Sequence, residues 1–447
     1  MIRLAYRFYR LGSAVSSRLG RRLTPAGWLA LAGLAVCSFV GLDLEQSVAS
    51  KTFAVLFSVL AIAVCCAPLF RGAFGVERLL PRFGSVGQSF AYRVSVRNYR
   101  AKLWRELELF EELADLRPSL EELMEYHRAG NRSFRLSKPG QGSFTYPRAI
   151  VKKVDLPPLL PGGEAQARGE VLPLKRGPLR FVGVVIARRD PLNLFRGFVR
   201  VPLPQTVLIL PQRYSLPPLA LPGTHRYQQG GVAFAASVGE SEEFVSLRDY
   251  RPGDPLRHVH WRSSARTGRL VVKEFEDEFF VRHALVLDTF GTPAQAQAFE
   301  EAVSVAASFV STVDTQESLL DLMFVGAQAV CFTTGRGVTH SEQALGILAS
   351  VQPSRDKSFE TLQALVLQHT PLVSGCVFIF LAWDEPRQEL VRKLTRLGLA
   401  VRVFVVTDEA GTRQLAGVSD DQRPANFHVL EVGKVEAGLQ ALEGVCP

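Results

Sequence analysis

The sequence predicts three parts in order: a two-helix transmembrane hairpin, an all-β sandwich and an α/β doubly wound domain. Two uncharged apolar runs near the start predict the first part. Short alternating segments broken by Pro-Gly turns over residues 76–205 predict the second. From residue 281 onward apolar strand patterns alternate with helical ones, as in a mostly parallel sheet. At 447 residues the chain is long enough to give each soluble part its own core.

The net charge is +9, and six of the positive charges (Arg3, Arg7, Arg10, Arg18, Arg21 and Arg22) lie in the first 26 residues with no acid among them. This is read as a basic cytoplasmic segment. The apolar runs follow at about 27–42 (GWLALAGLAVCSFVGL) and 52–70 (TFAVLFSVLAIAVCCAPLF). Each approaches the roughly 20 residues that cross a bilayer, the first being short. The connector DLEQSVASK is brief, so the runs are expected to form a hairpin. Basic residues before the first run and after the second (Arg71, Arg78, Arg82) place both flanks in the cytoplasm. The expected location is the inner (cytoplasmic) membrane, multi-pass, with both termini cytoplasmic. A cleaved signal peptide fits less well, since the leading segment is long and a second apolar run follows at once. Topology and anionic lipid account for most of the arginine excess, so nucleic acid is not an expected partner.

In the β part, Phe90, Tyr92, Val94 and Val96 alternate with Ala91, Arg93, Ser95 and Arg97, the period of a half-buried strand. Further strands are expected at 104–111, 144–151, 168–174, 179–188 and 206–211. Lys138-Pro139-Gly140 and Pro161-Gly162-Gly163 punctuate them. Residues 119–129 read as a short helical insertion. Residues 202–222 are proline-rich, 227–243 rich in glycine and alanine, and 206–243 is assigned as a linker.

In the α/β part, strands are expected at 283–288, 319–325, 329–333, 374–382, 400–406 and 427–432. Helices are expected at 295–313, 341–350, 359–368, 386–397 and 434–442. The close pair at 319–333 makes an antiparallel edge hairpin. The six cysteines sit in apolar runs or near the end without metal-ligand spacing, which supports neither disulfides nor a zinc site.

Between these parts, residues 244–280 begin FVSLRDYRPGDPLRHVHWRSSARTGRLVVKEFE, with seven basic residues (Arg248, Arg251, Arg257, Arg262, Arg266, Arg269, Lys273) among strong turn signals. Pro252-Gly253 marks a turn, Asp254 is an N-cap and Pro255 falls at the first helical position. Gly268 is placed to end the helix. A helix over about 255–266 follows, with His258, Arg262 and Arg266 stacked as a cationic stripe. Leu270 to Phe275 then reads as a strand. The block either binds an anion or protein surface, or pairs internally with Asp249, Asp254, Glu274, Glu276 and Asp277. Trp261 is open between core packing and a binding anchor. On such a helix His258 and His260 diverge by about 200°, which favours structural roles over metal binding.

The block resembles the core motif of the bacterial family catalogued as domain of unknown function 58. The matching positions are Tyr250, Pro252, Gly253, Asp254, Arg257, Val259, Trp261, Ser264, Ala265 and Arg266. A second family-like stretch precedes it: Arg176-Gly177, Arg189-Asp190-Pro191-Leu192 and Leu194-Phe195-Arg196. The resemblance implies a von Willebrand factor A-like C-terminal domain, which the strand and helix order also resembles. Such domains often bind magnesium through an Asp-x-Ser-x-Ser loop. Here the matching stretch is Asp288 to Thr292, Phe290 replaces the first serine, and Asp384 sits at the distal aspartate position. Ser358 or Thr361 is a candidate loop hydroxyl. A degenerate, metal-free site is expected, with magnesium the only candidate cofactor.

No Walker A, dinucleotide, nucleophile-elbow or zincin motif is present. The expectation is a non-catalytic membrane-anchored scaffold or adaptor. The family resemblance implies a MoxR-type AAA+ ATPase or a transglutaminase-like membrane protein as partner, in complex assembly or envelope maintenance. The partner-binding set is Arg248, Tyr250, Arg251, Asp254, Arg257, Trp261, Arg262, Arg266 and Lys273. The alternatives are a metal-dependent hydrolase or phosphoryl-transfer enzyme using Asp288, Asp384 and the arginine block, or an anionic-ligand sensor.

Overall fold

The computed structural model describes residues 20–40, 47–114, 148–217, 244–254, 256–275, 281–313, 318–334, 338–354, 356–417, 423–424 and 426–444. The chain divides into two compact units. One comprises 1–214 with 291–308 and 345–353; the other comprises 215–290, 309–344 and 354–447. The helical insertion expected at 119–129 and the stretch 227–243 lie outside the described residues.

The first unit opens with two apolar helices, α1 (Pro25–Val40) and α2 (Ser47–Cys66), the latter extended by a 3-10 turn at Ala67–Leu69. Val48–Leu69 is 22 residues long with mean hydropathy 2.4, long and apolar enough to cross a membrane. The apolar helix Pro25–Phe39 falls short of that length. Where two spans were expected, one helix among the described residues meets the requirement. Residues 41–46, which would join the two, lie outside the described set. Both helices expose large apolar side chains, among them Leu29, Phe39, Val48 and Phe57.

Nine strands follow among the described residues: β1 (Phe74–Leu79), β2 (Phe83–Ser85), β3 (Phe90–Asn98), β4 (Leu107–Leu113), β5 (Ala149–Val151), β6 (Val154–Leu156), β7 (Glu164–Pro173), β8 (Gly177–Arg189) and β9 (Arg196–Leu210). They form two sheets, ordered β1-β3-β7-β5 and β2-β9-β8-β4-β6. The inward residues of both enter one core that includes Tyr92, Val94, Val96, Leu107, Leu109, Phe181 and Ile186. The alternation read in 90–98 is present, with Tyr92, Val94 and Val96 buried and Ala91, Arg93 and Arg97 exposed.

The proline-rich stretch from 202 is strand as far as Leu210, as the strand expected at 206–211 implies, so the linker assigned to 206–243 does not begin at 206. Pro202 and Pro204 fall beside the register shift between Phe181 and Gly183 of β8. The other neighbour, β2, pairs with β9 only at residues 208–210. The missing amides therefore fall where no ladder bond is needed, the tolerated place for proline in a sheet.

Polar contacts shape the turn between β8 and β9 and seat α1 on it. The Asp190 carboxylate accepts the amides of Leu194 (2.7 Å) and Phe195 (2.8 Å). Thr24 donates its amide to the Leu194 carbonyl at 3.1 Å, and its hydroxyl accepts the Gly27 amide at 3.1 Å. The Arg196 guanidinium donates to the Leu23 carbonyl at 2.8 Å. Leu194 is buried with Leu60 and Ala63 of α2. A methyl group on Gly27 would strike the Leu194 carbonyl, and one on Gly197 would strike the Ala67 carbonyl, so both helix ends require glycine to approach this turn. Part of the second family-like stretch, residues 189–196, is thus the seat of the apolar helices. The other part, Arg176, donates to the Leu348 (3.2 Å) and Val351 (2.6 Å) carbonyls and pairs with Glu300, all within the first unit.

Arg78 lies in the core between the sheets, 4% exposed. It pairs with Glu111, donates to Gln205 Oε1 (2.8 Å) and to the Leu203 carbonyl (2.8 Å), and covers the Phe181 ring. Burial pushes the Glu111 carboxyl up against the opposing pull of Arg78. Arg78→Ala is expected to cost about 3–5 kcal/mol, the range for orphaning one member of a buried ion pair, measured by denaturant titration. Glu111→Gln in that background is expected to recover part of the loss.

The second unit contains a small module and a larger sheet. The module is β10 (Phe244–Asp249), α3 (Trp261–Thr267) and β11 (Val271–Phe275), the two strands pairing antiparallel on their own. The larger part runs β12 (Val281–Leu287), α4 (Ala296–Val313), β13 (Ser318–Val325), β14 (Ala329–Thr334), α5 (Val338–Ser350), α6 (Phe359–His369), β15 (Gly375–Phe380), α7 (Glu385–Arg396), β16 (Ala400–Thr407), α8 (Glu409–Ala416), β17 (Phe427–Glu431) and α9 (Val435–Gln440), with residues 296–308 of α4 and 345–350 of α5 grouped in the first unit. The sheet order is β14-β13-β12-β15-β16-β17, parallel except for the expected edge hairpin β13-β14.

Helices cover both faces of this sheet. Val403 and Val405 pack with α6 and α7, while the intervening Phe404 meets Phe309 of α4 at 5.4 Å. A strand covered on both sides has no polar face, and all six residues of β15 are buried. Helix α8 was not anticipated. Its cap, Asp408, accepts the Gly411 amide at 2.8 Å, but a glycine in so short a helix weakens the sequence signal.

Candidate docking module and strand-end carboxylates

In the arginine-rich block the expected continuous helix over 255–266 does not form. A 3-10 turn spans Leu256–His258, Val259 bridges to Val272 of β11, and α3 begins only at Trp261. The apolar pattern decides this: Val259, Val271 and Val272 are all buried, and pairing Val259 with the strand hides it better than a helix would. The helix stop at Gly268 is as expected, with φ +68° and its amide donating to the Ser264 carbonyl at 3.0 Å. Ser264 ties helix to strand. Its hydroxyl accepts the Val271 amide at 2.9 Å and donates to the His260 carbonyl at 3.1 Å.

Asp254 caps no helix. Its carboxylate takes both ends of the Arg248 guanidinium, at 2.6 and 2.9 Å, and the Arg251 amide at 2.9 Å. Arg248 and that amide hold the Asp254 carboxyl down to about 2. One pair of the proposed internal network is therefore present; the Glu274, Glu276 and Asp277 side chains lie outside the described residues.

The predicted binding residues divide accordingly. Arg248 and Asp254 are structural partners in the turn. Tyr250 is half-buried and its amide donates to the Leu270 carbonyl; Lys273 is half-buried opposite Leu247. Arg251, Arg262 and Arg266 are exposed, and Trp261 is 63% exposed. The stripe loses His258, which precedes α3, and keeps Arg262 and Arg266. The Arg257 side chain lies outside the described residues. Of the two histidines, His260 contacts Ser263 Oγ through Nδ1 at 2.7 Å.

At the carboxyl ends of β12 and β15, Asp288 is fully buried. It accepts the amides of Phe290 (2.9 Å) and Leu381 (3.1 Å) and the Arg387 Nε at 2.7 Å. Arg387 Nη1 pairs with Asp384 at 2.5 Å, and the guanidinium rests 4.8 Å from the Phe359 ring centroid. One guanidinium thus takes up both candidate metal carboxylates. Thr292 is exposed and closes a capping box with Gln295. These side chains do not fit a divalent cation, because a cationic group already lies between the carboxylates. Sequence reading missed Arg387. A signal existed, since arginine in the first turn of a helix opposes the helix dipole unless a carboxylate holds it. Cys376 and Cys331 offer no nucleophile, burial pushing their thiols up to about 12 and about 11.

Residues 246–410, from β10 into α8, match the family described as "Protein of unknown function DUF58". A curated relative, the uncharacterized protein YeaD of Bacillus subtilis (strain 168), is 30% identical over 184 residues. Over that segment the chain matches the DUF58 family. The aligned stretch covers 40% of this chain and 44% of YeaD, so the chain matches less than half of that relative. Among solved structures, manganese-loaded TRAP protein of Plasmodium vivax is similar at 13% identity, covering 36% of this chain and 72% of that one, with TM-score 0.28. Proximal thread matrix protein 1 of the mussel byssus is similar at 10% identity, covering 36% and 47%, with TM-score 0.26. Likeness at this level decides nothing about fold or metal binding.

The segment matched by the DUF58 family therefore holds both the arginine-rich module and the strand-end carboxylates, while the seat at 189–196 lies outside it. The depressed Asp254 carboxyl stabilises the module turn above the ordinary carboxylate range, about 4, and that contribution is lost as pH falls toward about 2. A carboxyl-carbon NMR titration is expected to place Asp254 near 2 and to return it toward its ordinary value in Arg248→Ala. In Arg387→Ala the buried Asp288 loses its counter-charge. A loss of about 3–5 kcal/mol is expected, partly restored by added magnesium or manganese, while the melting temperature of the wild-type protein does not respond to either ion.

Proposed function

We propose that this chain is a membrane-anchored, non-catalytic scaffold or adaptor whose arginine-rich module docks a protein partner. The observation that carries this reading is Trp261, 63% exposed on a module that is otherwise closed by its own hydrogen bonds. Leu256 of the preceding turn is also 63% exposed, and no described carboxylate pairs with Arg262 or Arg266. An exposed indole on the same short helix as guanidinium groups that no described carboxylate pairs has the make-up of a binding hot spot. The self-contained turn and the Ser264 tie hold that surface in shape before any partner arrives, which lowers the ordering cost of binding.

The anchor in this reading is α2, with α1 as a second, shorter member of a hairpin and both termini in the cytoplasm. Its support is the length and apolarity of Val48–Leu69. The six-stranded part is read as a von Willebrand A-like domain with a degenerate metal loop, in which Arg387 replaces the ion. An enzymatic reading through Asp288 and Asp384 gains nothing from a geometry in which one arginine takes up both. The family resemblance suggests a MoxR-type AAA+ ATPase as the partner, with a transglutaminase-like membrane protein as the second choice.

The test is a pull-down of the tagged full-length protein in mild detergent, with and without ATP, read by mass spectrometry beside Trp261→Ala/Arg262→Glu. Nucleotide-dependent recovery of an AAA+ ATPase, lost in the double variant at unchanged melting temperature, is expected. Recovery of the same partner by the variant would remove the module from the docking role, and recovery of no partner would remove the adaptor reading.

A further inference from the structure

The geometry points to a lipid-reading collar around the ends of α1 and α2 that docks on anionic phospholipid headgroups. This rests on the reading that α2 crosses a bilayer. Both apolar helices end at the β8–β9 turn: Thr24 and Gly27 of the α1 entrance contact Leu194, and Gly197 lies against Ala67 and Phe70 just after α2. Whatever surrounds this turn stands at the depth where the exposed apolar helix faces give way to the folded sheets.

The side chains found there are cations with apolar neighbours. Arg22 directly precedes α1, is exposed, and lies 5.8 Å from the Phe198 ring centroid. Phe70, the residue following the α2 extension, packs edge-on to Trp104 at 5.2 Å. Two exposed cations flank that indole, Lys102 at 4.9 Å and Arg188 at 5.3 Å. No described carboxylate pairs with Arg22, Lys102 or Arg188. Leu192 at the tip of the turn is 45% exposed and Leu69 is 73% exposed.

Beneath them three cations meet a buried carboxylate. Glu108, almost fully buried, is met by Arg189 at 2.8 Å, Arg196 at 2.8 Å and Lys153 at 2.9 Å. Asp155, 3.8 Å from Lys153, and Glu106, which acts on Arg189, are further acids beside this group. The three cations are shared among these acids, so the positive field at the surface is that of Arg22, Lys102 and Arg188. A surface that pairs a positive field with exposed leucines beside membrane-length helices is complementary to a phosphodiester headgroup layer. Cation–π seating of Arg22, Lys102 and Arg188 stiffens side chains that would otherwise lose freedom on binding.

The test reconstitutes the full-length protein in vesicles containing equal parts of phosphatidylcholine and phosphatidylglycerol. It is then extracted in mild detergent and the retained lipid weighed by mass spectrometry. Wild-type protein is expected to retain phosphatidylglycerol over phosphatidylcholine by about tenfold, and to lose that preference in molar salt. Arg22→Gln/Lys102→Gln/Arg188→Gln removes three charges that make no described ion pair, so it is expected to melt as wild type and retain both lipids equally. A wild-type preference that survives in this variant or in molar salt, or no wild-type preference at all, overturns the collar. Alkaline extraction from pure phosphatidylcholine vesicles is the separate control for anchoring: release there removes the membrane reading itself, while retention without lipid preference removes only the collar.

Discussion

Glu108, Glu111, Asp288 and Asp321 are carboxylates taken out of water, and each faces an arginine. An ion buried alone costs several kcal/mol, so each of these groups is tolerated only where the fold delivers its counter-charge. That requirement constrains the whole chain. Arg78 and Glu111 fix how β1 and β4 meet across the core. Arg282 and Asp321 tie β12 to β13, with Thr333 of β14 completing the Asp321 contacts at 2.7 Å. Arg387 and Asp288 pin α7 to the ends of the central strands. These pairs add little net energy, but the wrong packing would leave a bare charge inside, so they specify one arrangement.

Smaller polar devices do the same work locally. Asp190 folds the β8–β9 turn onto its own backbone, and that turn then offers the Leu194 carbonyl to the α1 entrance. Ser264 does the equivalent in the module, satisfying a strand amide and a helix-entry carbonyl with one hydroxyl. Both lie in family-like stretches of the sequence. Their roles are structural, which separates the motif into residues that build the module and residues that it displays.

The functional reading follows from that separation. Arg248, Asp254 and Ser264 are consumed by the module's own bonds, while Trp261, Arg262 and Arg266 are left facing solvent. At the strand ends the opposite holds: Arg387 is drawn inward and its charge is taken up by Asp288 and Asp384. The displayed cationic face and the self-neutralised carboxylate site are the two observations on which the proposed scaffold reading rests.

The alternation in β3, the all-apolar β15, the strand–helix order of the last domain and the Gly268 stop were determined by the sequence itself, because each depends on a local period or a single backbone preference. The DUF58 resemblance was carried by residues within one short block for the same reason. Tertiary structure decided what depends on partners distant in the chain. Val259 left its expected helix because Val272 offered a better-buried pairing. Pro202 and Pro204 entered β9 because its neighbours leave no ladder bond unmade there. Asp288 and Asp384, which sequence pattern placed in a possible metal loop, met Arg387 instead, since the charge of a buried group is settled by whatever side chain packing brings beside it.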